Sequence, residues 1–199
     1  MTQPAQSPID QLRSEAWDRA LHVYGTAYLF AQRARFYRML LRFSAFLGIA
    51  LPLVVGAVAL AGVSTDLRGV VVVAGLLGVP VVVVSAWSLV ADWAGGYAAA
   101  TQSEAANYQL NDAYTELAGH PPTDEDEFRQ RFQLIRAQDN AQRDRDLGQH
   151  VTDAEKRRGL RAALRERQKE CVGCSLKPTT MKPTDCGVCG DFPKRWWQR

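Results

Sequence analysis

Two stretches of the chain, Phe43 to Val63 and Val70 to Val90, each run for 21 residues without a charged side chain. A helix of that length crosses a hydrocarbon layer about 30 Å thick. The first holds 11 residues of the Leu, Ile, Phe and Val set and the second 13. Those side chains favour insertion by ~3 to 7 and ~4 to 8 kcal/mol respectively, before Gly and Pro are discounted. A buried hairpin in a soluble core usually keeps a polar stripe, and these runs are apolar all round. A cleaved leader fits poorly too, because the first run begins beyond residue 40 and no basic segment precedes it at the N-terminus. The pattern predicts two membrane-spanning helices, at residues 43–63 and 70–92, joined by a short loop.

The flanking pattern changes from uniformly apolar to periodic. Ser7, Pro8 and Asp10 read as a helix start. From there Ile9, Leu12, Ala16, Ala20, Val23, Ala27, Phe30, Ala34, Tyr37 and Leu41 recur at alternating three- and four-residue steps, a seven-residue repeat. This predicts a cytoplasmic helix over 8–42 that continues unbroken into the first span. Its stripe packs either on later helices of the same chain or in an intermolecular coiled coil. Within the spans, Gly48, Pro52 and Gly56 share one face and permit close helix approach. Gly78 precedes Pro80, which is expected to kink the second span, and Ser85 and Ser88 are its only hydroxyl side chains. Gly95 and Gly96 read as a hinge before a helix over 97–118 with Leu110, Tyr114 and Leu117 on one side. Gly119 with Pro121 and Pro122 ends it. Thr123 is expected to cap a fourth helix whose acidic start suits the helix dipole, with Phe128, Phe132 and Ile135 buried and Gly148 at its end. Thr152 and Glu155 make a capping box for a fifth, basic helix to about Lys169. No strand is expected before the cysteines.

Charge gives the hairpin an orientation. Arg33, Arg35, Arg38 and Arg42 crowd the entry to the first span, whereas the loop between spans offers only Arg68 beside Asp66. Basic residues near spans stay cytoplasmic, so both termini are expected on that side, with the thiols in a reducing compartment. The formal net charge of +3 hides a net −8 over residues 92–127 and +8 over residues 128–199. The basic third calls for an anionic partner or for docking on the acidic segment.

Cys171, Cys174, Cys186 and Cys189 form two CxxC pairs separated by 11 residues. Four thiolates so paired match tetrahedral Zn2+ and leave no position for water, so a structural ion is expected. Iron of the rubredoxin kind and redox chemistry are the other readings. Gly173, Gly187 and Gly190 are expected to serve tight turns about the metal. Beyond the module, Arg195, Trp196 and Trp197 mix cations with indoles, which suits base stacking with phosphate contacts, an anionic membrane surface, or docking on the module. Arg157, Arg158, Arg161 and Arg165 could complete an anion site. Only three histidines occur, His22, His120 and His150, none paired with a nucleophile, and no phosphate-cradling glycine loop is evident. Catalysis is not expected.

The resulting expectation is an all-α membrane protein: residues 1–120 around the two spans, 121–170 as cytoplasmic basic helices, and 171–199 as a small four-cysteine zinc module with its tail. The stretch Thr152 to Phe192, TDAEKRRGLRAALRERQKECVGCSLKPTTMKPTDCGVCGDF, resembles the bacterial mobilome group defined by CxxCx(11)CxxC, and the upstream hairpin, roughly residues 8 to 120, resembles the SLATT domain. These resemblances imply an effector of antiphage defence in the bacterial inner membrane, a homo-oligomeric ion channel with a tetramer favoured. Its gating ligand would be a nucleotide or single-stranded oligonucleotide from a nucleotidyltransferase encoded nearby, as in CBASS-like and Hailong-type systems. The alternative is a non-conducting tether whose zinc and tryptophan tail recruits nucleic acid or a partner enzyme.

Overall fold

A computed structural model describes residues 7–60 and 67–194 of the chain. The expected loop residues Ser64 to Asp66 and the tail residues Arg195, Trp196 and Trp197 lie outside the described residues. Five helices follow in order: α1 (Pro8–Leu60), α2 (Leu67–Val90), α3 (Trp93–Gly119), α4 (Glu125–Leu147) and α5 (Asp153–Glu166). No strand occurs among the described residues. The chain divides into two compact units, Met1–Gln32 with Thr101–Arg199, and Arg33–Ala100.

The first unit is a bundle whose seam is the predicted stripe of α1. Ala16, Ala20 and Val23 are buried with Leu110, Tyr114, Leu117 and Ala118 of α3 and Phe128 and Phe132 of α4. The stripe therefore packs on later helices of its own chain, as the first of the two alternatives has it. Alanine at the seam lets helix axes approach, and burial of Phe and Leu side chains stabilises such a core by roughly 1.5–3 kcal/mol each. Arg13 donates from Nε to the Ala118 carbonyl at 2.8 Å, satisfying one of the carbonyls that a helix end leaves without a partner.

The buried face of α4 continues past its apolar half. Asp139, Gln142 and Asp146 are buried, extending the spacing of Phe128, Phe132 and Ile135. Asn107 donates to Asp146 at 2.8 Å, Gln142 donates to the other oxygen of Asp146 at 2.8 Å, and Tyr114 donates to Asp139 at 3.2 Å. Arg19 stands 3.7 Å from the same Asp139 oxygen. Buried carboxylates are tolerated only when so engaged.

One cap differs from expectation and one matches it. Asp124, not Thr123, is the N-cap of α4, accepting from the Asp126 amide; the carboxylate adds charge complementarity at the helix start. The Thr152 and Glu155 capping box of α5 is present, and the helix closes at Glu166 rather than Lys169.

In the second unit α1 and α2 run through Pro52 and Pro80 without ending. One helix, α1, is by itself long and apolar enough to cross a membrane by length and composition; its apolar window has a mean hydropathy of 2.0 and none of it is buried. Phe46, Leu53, Leu76 and Val82 are exposed large hydrophobics. A Cβ added at Gly48, Gly56 or Gly78 would meet open space, Pro52 is exposed, and Ser88 returns its hydroxyl to the Ser85 carbonyl at 2.8 Å. The expected hinge at Gly95 and Gly96 is displaced. The break falls at Ala91 and Asp92, where Asp92 takes φ 45° and accepts from the Gly95 amide at 3.0 Å. Both glycines lie inside α3 for steric reasons: a Cβ at Gly95 would strike the Asp92 carboxylate, and one at Gly96 would lie 2.7 Å from the Tyr37 ring.

Candidate metal centre

The four cysteines come from two turns after α5. In the first, the Ser175 amide donates to the Cys171 carbonyl at 2.7 Å; in the second, the Gly190 amide donates to the Cys186 carbonyl at 2.8 Å. Each turn thus folds a CxxC pair back on itself and directs both sulfurs inward. Gly173 is required because a Cβ there would lie 2.6 Å from Val188, and Gly190 because one would strike the Thr184 hydroxyl. Gly187, expected to serve a turn, faces open space; the reversal is made without it.

All four Sγ atoms lie within 4.8 Å of one another, with Cys171 and Cys186 sulfurs 4.0 Å apart and Cys174 and Cys189 sulfurs 3.9 Å apart. A tetrahedral ion with metal–sulfur bonds of about 2.3 Å needs sulfurs roughly 3.8 Å apart, and the cysteines are free thiols. The residues therefore fit a metal ion held by sulfur alone.

Protonation favours assembly unevenly. The backbone amides of Cys189 and Val188 pull the Cys186 thiol down to about 7, while burial pushes Cys189 up to about 12. A bound divalent cation would displace the remaining protons, since thiolate is the ligating form.

The module packs on the bundle: Cys171 and Cys189 are buried with Leu21 of α1 and Ala163 and Leu164 of α5. The basic face of α5 serves this contact. Arg161 is buried, donating from Nε to the Thr180 carbonyl at 2.8 Å and approaching the Cys189 sulfur at 3.7 Å with Nη1. Arg157 pairs with Asp191 at 2.8 Å, and Arg158 lies over the Phe192 ring at 5.8 Å. Of the four arginines singled out from the sequence, only Arg165 is exposed. The side-chain positions of Arg157, Arg158 and Arg161 thus place them around the cysteine module. Sequence reading missed Asn107, Asp139, Gln142 and Asp146, the buried polar face beside the bundle's cavity.

Fold and site together define a helical protein in which a four-cysteine knuckle able to hold a metal ion is clamped to a bundle that shares its first helix with a long apolar stretch. The profile of the mobilome CxxCx(11)CxxC family matches residues 13–192, and the chain belongs to that family. No curated protein and no solved structure matches it.

Proposed function

We propose that the chain is a homo-oligomeric ion channel of the bacterial inner membrane, built from a SLATT-like hairpin of two spans with both termini in the cytoplasm. A nucleotide or oligonucleotide from a partner nucleotidyltransferase acts on the cytoplasmic bundle and shifts the spans between two states. Opening depolarises the cell in defence against phage. The observation that carries this reading is the uncovered apolar surface of α1 and α2, continuous through one helix with the bundle seam. Membrane helices associate through small residues, and Gly48, Gly56 and Gly78 offer such surfaces to neighbouring copies, a tetramer being favoured. With no charge in either span, a constriction that gates by dewetting suits the conduit better than a ring of charges, with Ser85 and Ser88 at its lining. Zn2+ in the cysteine module holds α5 and α1 together and takes no part in conduction.

Planar-bilayer recording of the purified chain, with and without oligonucleotide, tests this. Ligand-dependent single-channel conductance is expected; a silent bilayer in every condition refutes the channel. The tether reading is favoured instead if an unrelated hairpin substituted for both spans preserves activity.

A further inference from the structure

The first unit contains a cavity of about 490 Å³ that neither the cysteine module nor the basic face of α5 explains. It opens between α1, α4 and α5. Its volume lies within the usual range for small-molecule sites, ~300–1,000 Å³. We propose that it binds the nucleotide unit of a phosphorylated ligand, base inward and phosphate at the mouth.

Three features assign that chemistry. The mouth carries His22, Arg143, His150 and Lys156, all exposed. Arg143 makes no hydrogen bond or ion pair with any described residue, so its guanidinium is available for bidentate contact with a phosphate. The wall below is apolar, with Val23, Leu29, Phe30, Leu147 and Leu160. The polar groups deeper in are acceptor-rich: Asp139 and Asp146 are buried, and Asn107 uses its amide hydrogens on Asp146 and the Ser103 carbonyl, at 2.8 Å each. Arg143 outside, with Lys156 beside it paired to Asp153 at 3.0 Å, an apolar wall between and acceptors within match a molecule that has an anion at one end, a planar body, and hydrogen-bond donors at the other. A nucleotide whose base carries an exocyclic amino group is such a molecule. A fatty acid would bring an apolar end to the carboxylates, and a bare phosphate would leave the wall unfilled.

The backbone around the cavity supports a built site. His150 holds φ 47°, a left-handed conformation that persists in a non-glycine residue only where its surroundings fix it. The linker is pinned there by Gln149, which donates to Ser103 at 2.7 Å. Gly25 and Gly159 close the opposite side: a Cβ at Gly159 would strike the Gly25 carbonyl, so only the glycine pair lets α1 and α5 meet. An adjoining hollow is lined by Glu15, Asp18, Arg19, His22, Asp139 and Arg143, so Arg143 stands where the two openings meet.

This inference rests on the ligand-gating reading for its consequence at the membrane, but not for binding itself. Equilibrium binding to the metal-loaded full chain in detergent is the test, with adenosine monophosphate, a short deoxyadenylate, inosine monophosphate, inorganic phosphate and decanoate as probes. Adenosine monophosphate or the oligonucleotide should bind, and the stronger of the two names the source, free nucleotide or chain end. Inosine monophosphate, which lacks the amino donor, should bind more weakly. Arg143→Glu and Leu147→Asp should each weaken binding roughly tenfold or more, while Arg129→Glu, outside the cavity, should not. Equal affinity for phosphate or decanoate, no nucleotide binding, or insensitivity to both cavity variants overturns the proposal. Nucleotide binding without conductance leaves the site standing and removes the channel; ligand-gated conductance unaltered by Arg143→Glu and Leu147→Asp does the reverse.

Discussion

The two units are built from similar helices and treat their apolar side chains in opposite ways. In the bundle, Phe30, Tyr114 and Phe128 are fully buried by their own chain; in the second unit Leu53 and Leu76 are 67% and 70% exposed. The difference lies in what accompanies the apolar residues. Bundle helices alternate an apolar seam with charged faces, so the seam has one partner surface and water takes the rest. The runs after Arg42 have no polar face to give to water. An apolar patch of that extent calls for lipid or another copy as its solvent, which is the physical content of the membrane reading.

The largest effect should come from the part of the bundle that has too little core of its own. Residues 171–194 follow α5 without regular secondary structure, and metal binding of this kind contributes on the order of 10 kcal/mol to folding in isolated modules. Cys171→Ser, or removal of the metal by chelator, should release the metal and unfold the module while leaving the Ala16, Tyr114 and Phe128 core intact. Metal-to-chain stoichiometry with proteolysis around residue 180 measures it. Retention of the metal and of protease resistance in the variant would contradict the tetrathiolate assignment. Iron in place of zinc would correct the ion and not the site.

A smaller effect separates the two regions directly. Leu53 and Leu134 are similarly exposed, 67% and 63%, but Leu53 lies in the uncharged run and Leu134 on the solvent side of α4. Leu53→Arg should cost about 2.5–3.5 kcal/mol of insertion free energy near a span centre and shift part of the chain out of the carbonate-resistant membrane fraction. Leu134→Arg should change fractionation and stability by less than about 0.5 kcal/mol. Equal behaviour of the two variants would mean that the exposed surfaces have the same solvent.

What was legible in the sequence follows the same division. The α1 seam, the Thr152 capping box and the cysteine cluster could be read because each depends on a local pattern: an apolar period, a three-residue capping interval, a thiol spacing. The buried polar face could not be read by counting apolar residues alone, although its period was present. Phe128, Phe132, Ile135, Asp139, Gln142 and Asp146 continue one set of three- and four-residue steps, as do Ser103, Asn107, Leu110, Tyr114 and Leu117 on α3. A polar residue in register with a seam on both facing helices is the signal that would have found the network. From the sequence the arginines of α5 could complete an anion site, because charge usually seeks water or an anion. Arg161 is buried instead because the Thr180 carbonyl and the Cys189 sulfur, remote in sequence, receive its donors. Asp92 was missed for a related reason: the glycines beside it carried the expectation of flexibility, whereas their role is to leave room for a carboxylate and a ring.

The smallest predicted effect concerns that polar network. Tyr114 is fully buried and donates to Asp139. Burial first, then the nearby Asp139 charge, raises its hydroxyl above the ordinary value of 10.0. A folded value above the unfolded one means that the native state holds the proton more tightly. The stabilisation is complete below about pH 10 and declines as alkalinity rises through the interval in which the unfolded chain has ionised Tyr114 and the native chain has not. Tyr114→Phe removes the ionisable group and one hydrogen bond to a carboxylate that is then left with Arg19 at 3.7 Å. Near neutral pH the variant should lose roughly 1–3 kcal/mol. Between about pH 10 and 11 the gap between the two proteins should narrow, because only the wild-type chain gives up stability through this group. Thermal melting of both proteins in the same detergent across that range measures the difference and cancels the contribution of the other tyrosines. A gap that is constant with pH would place Tyr114 outside the network and leave Asp139 held by Arg19 alone.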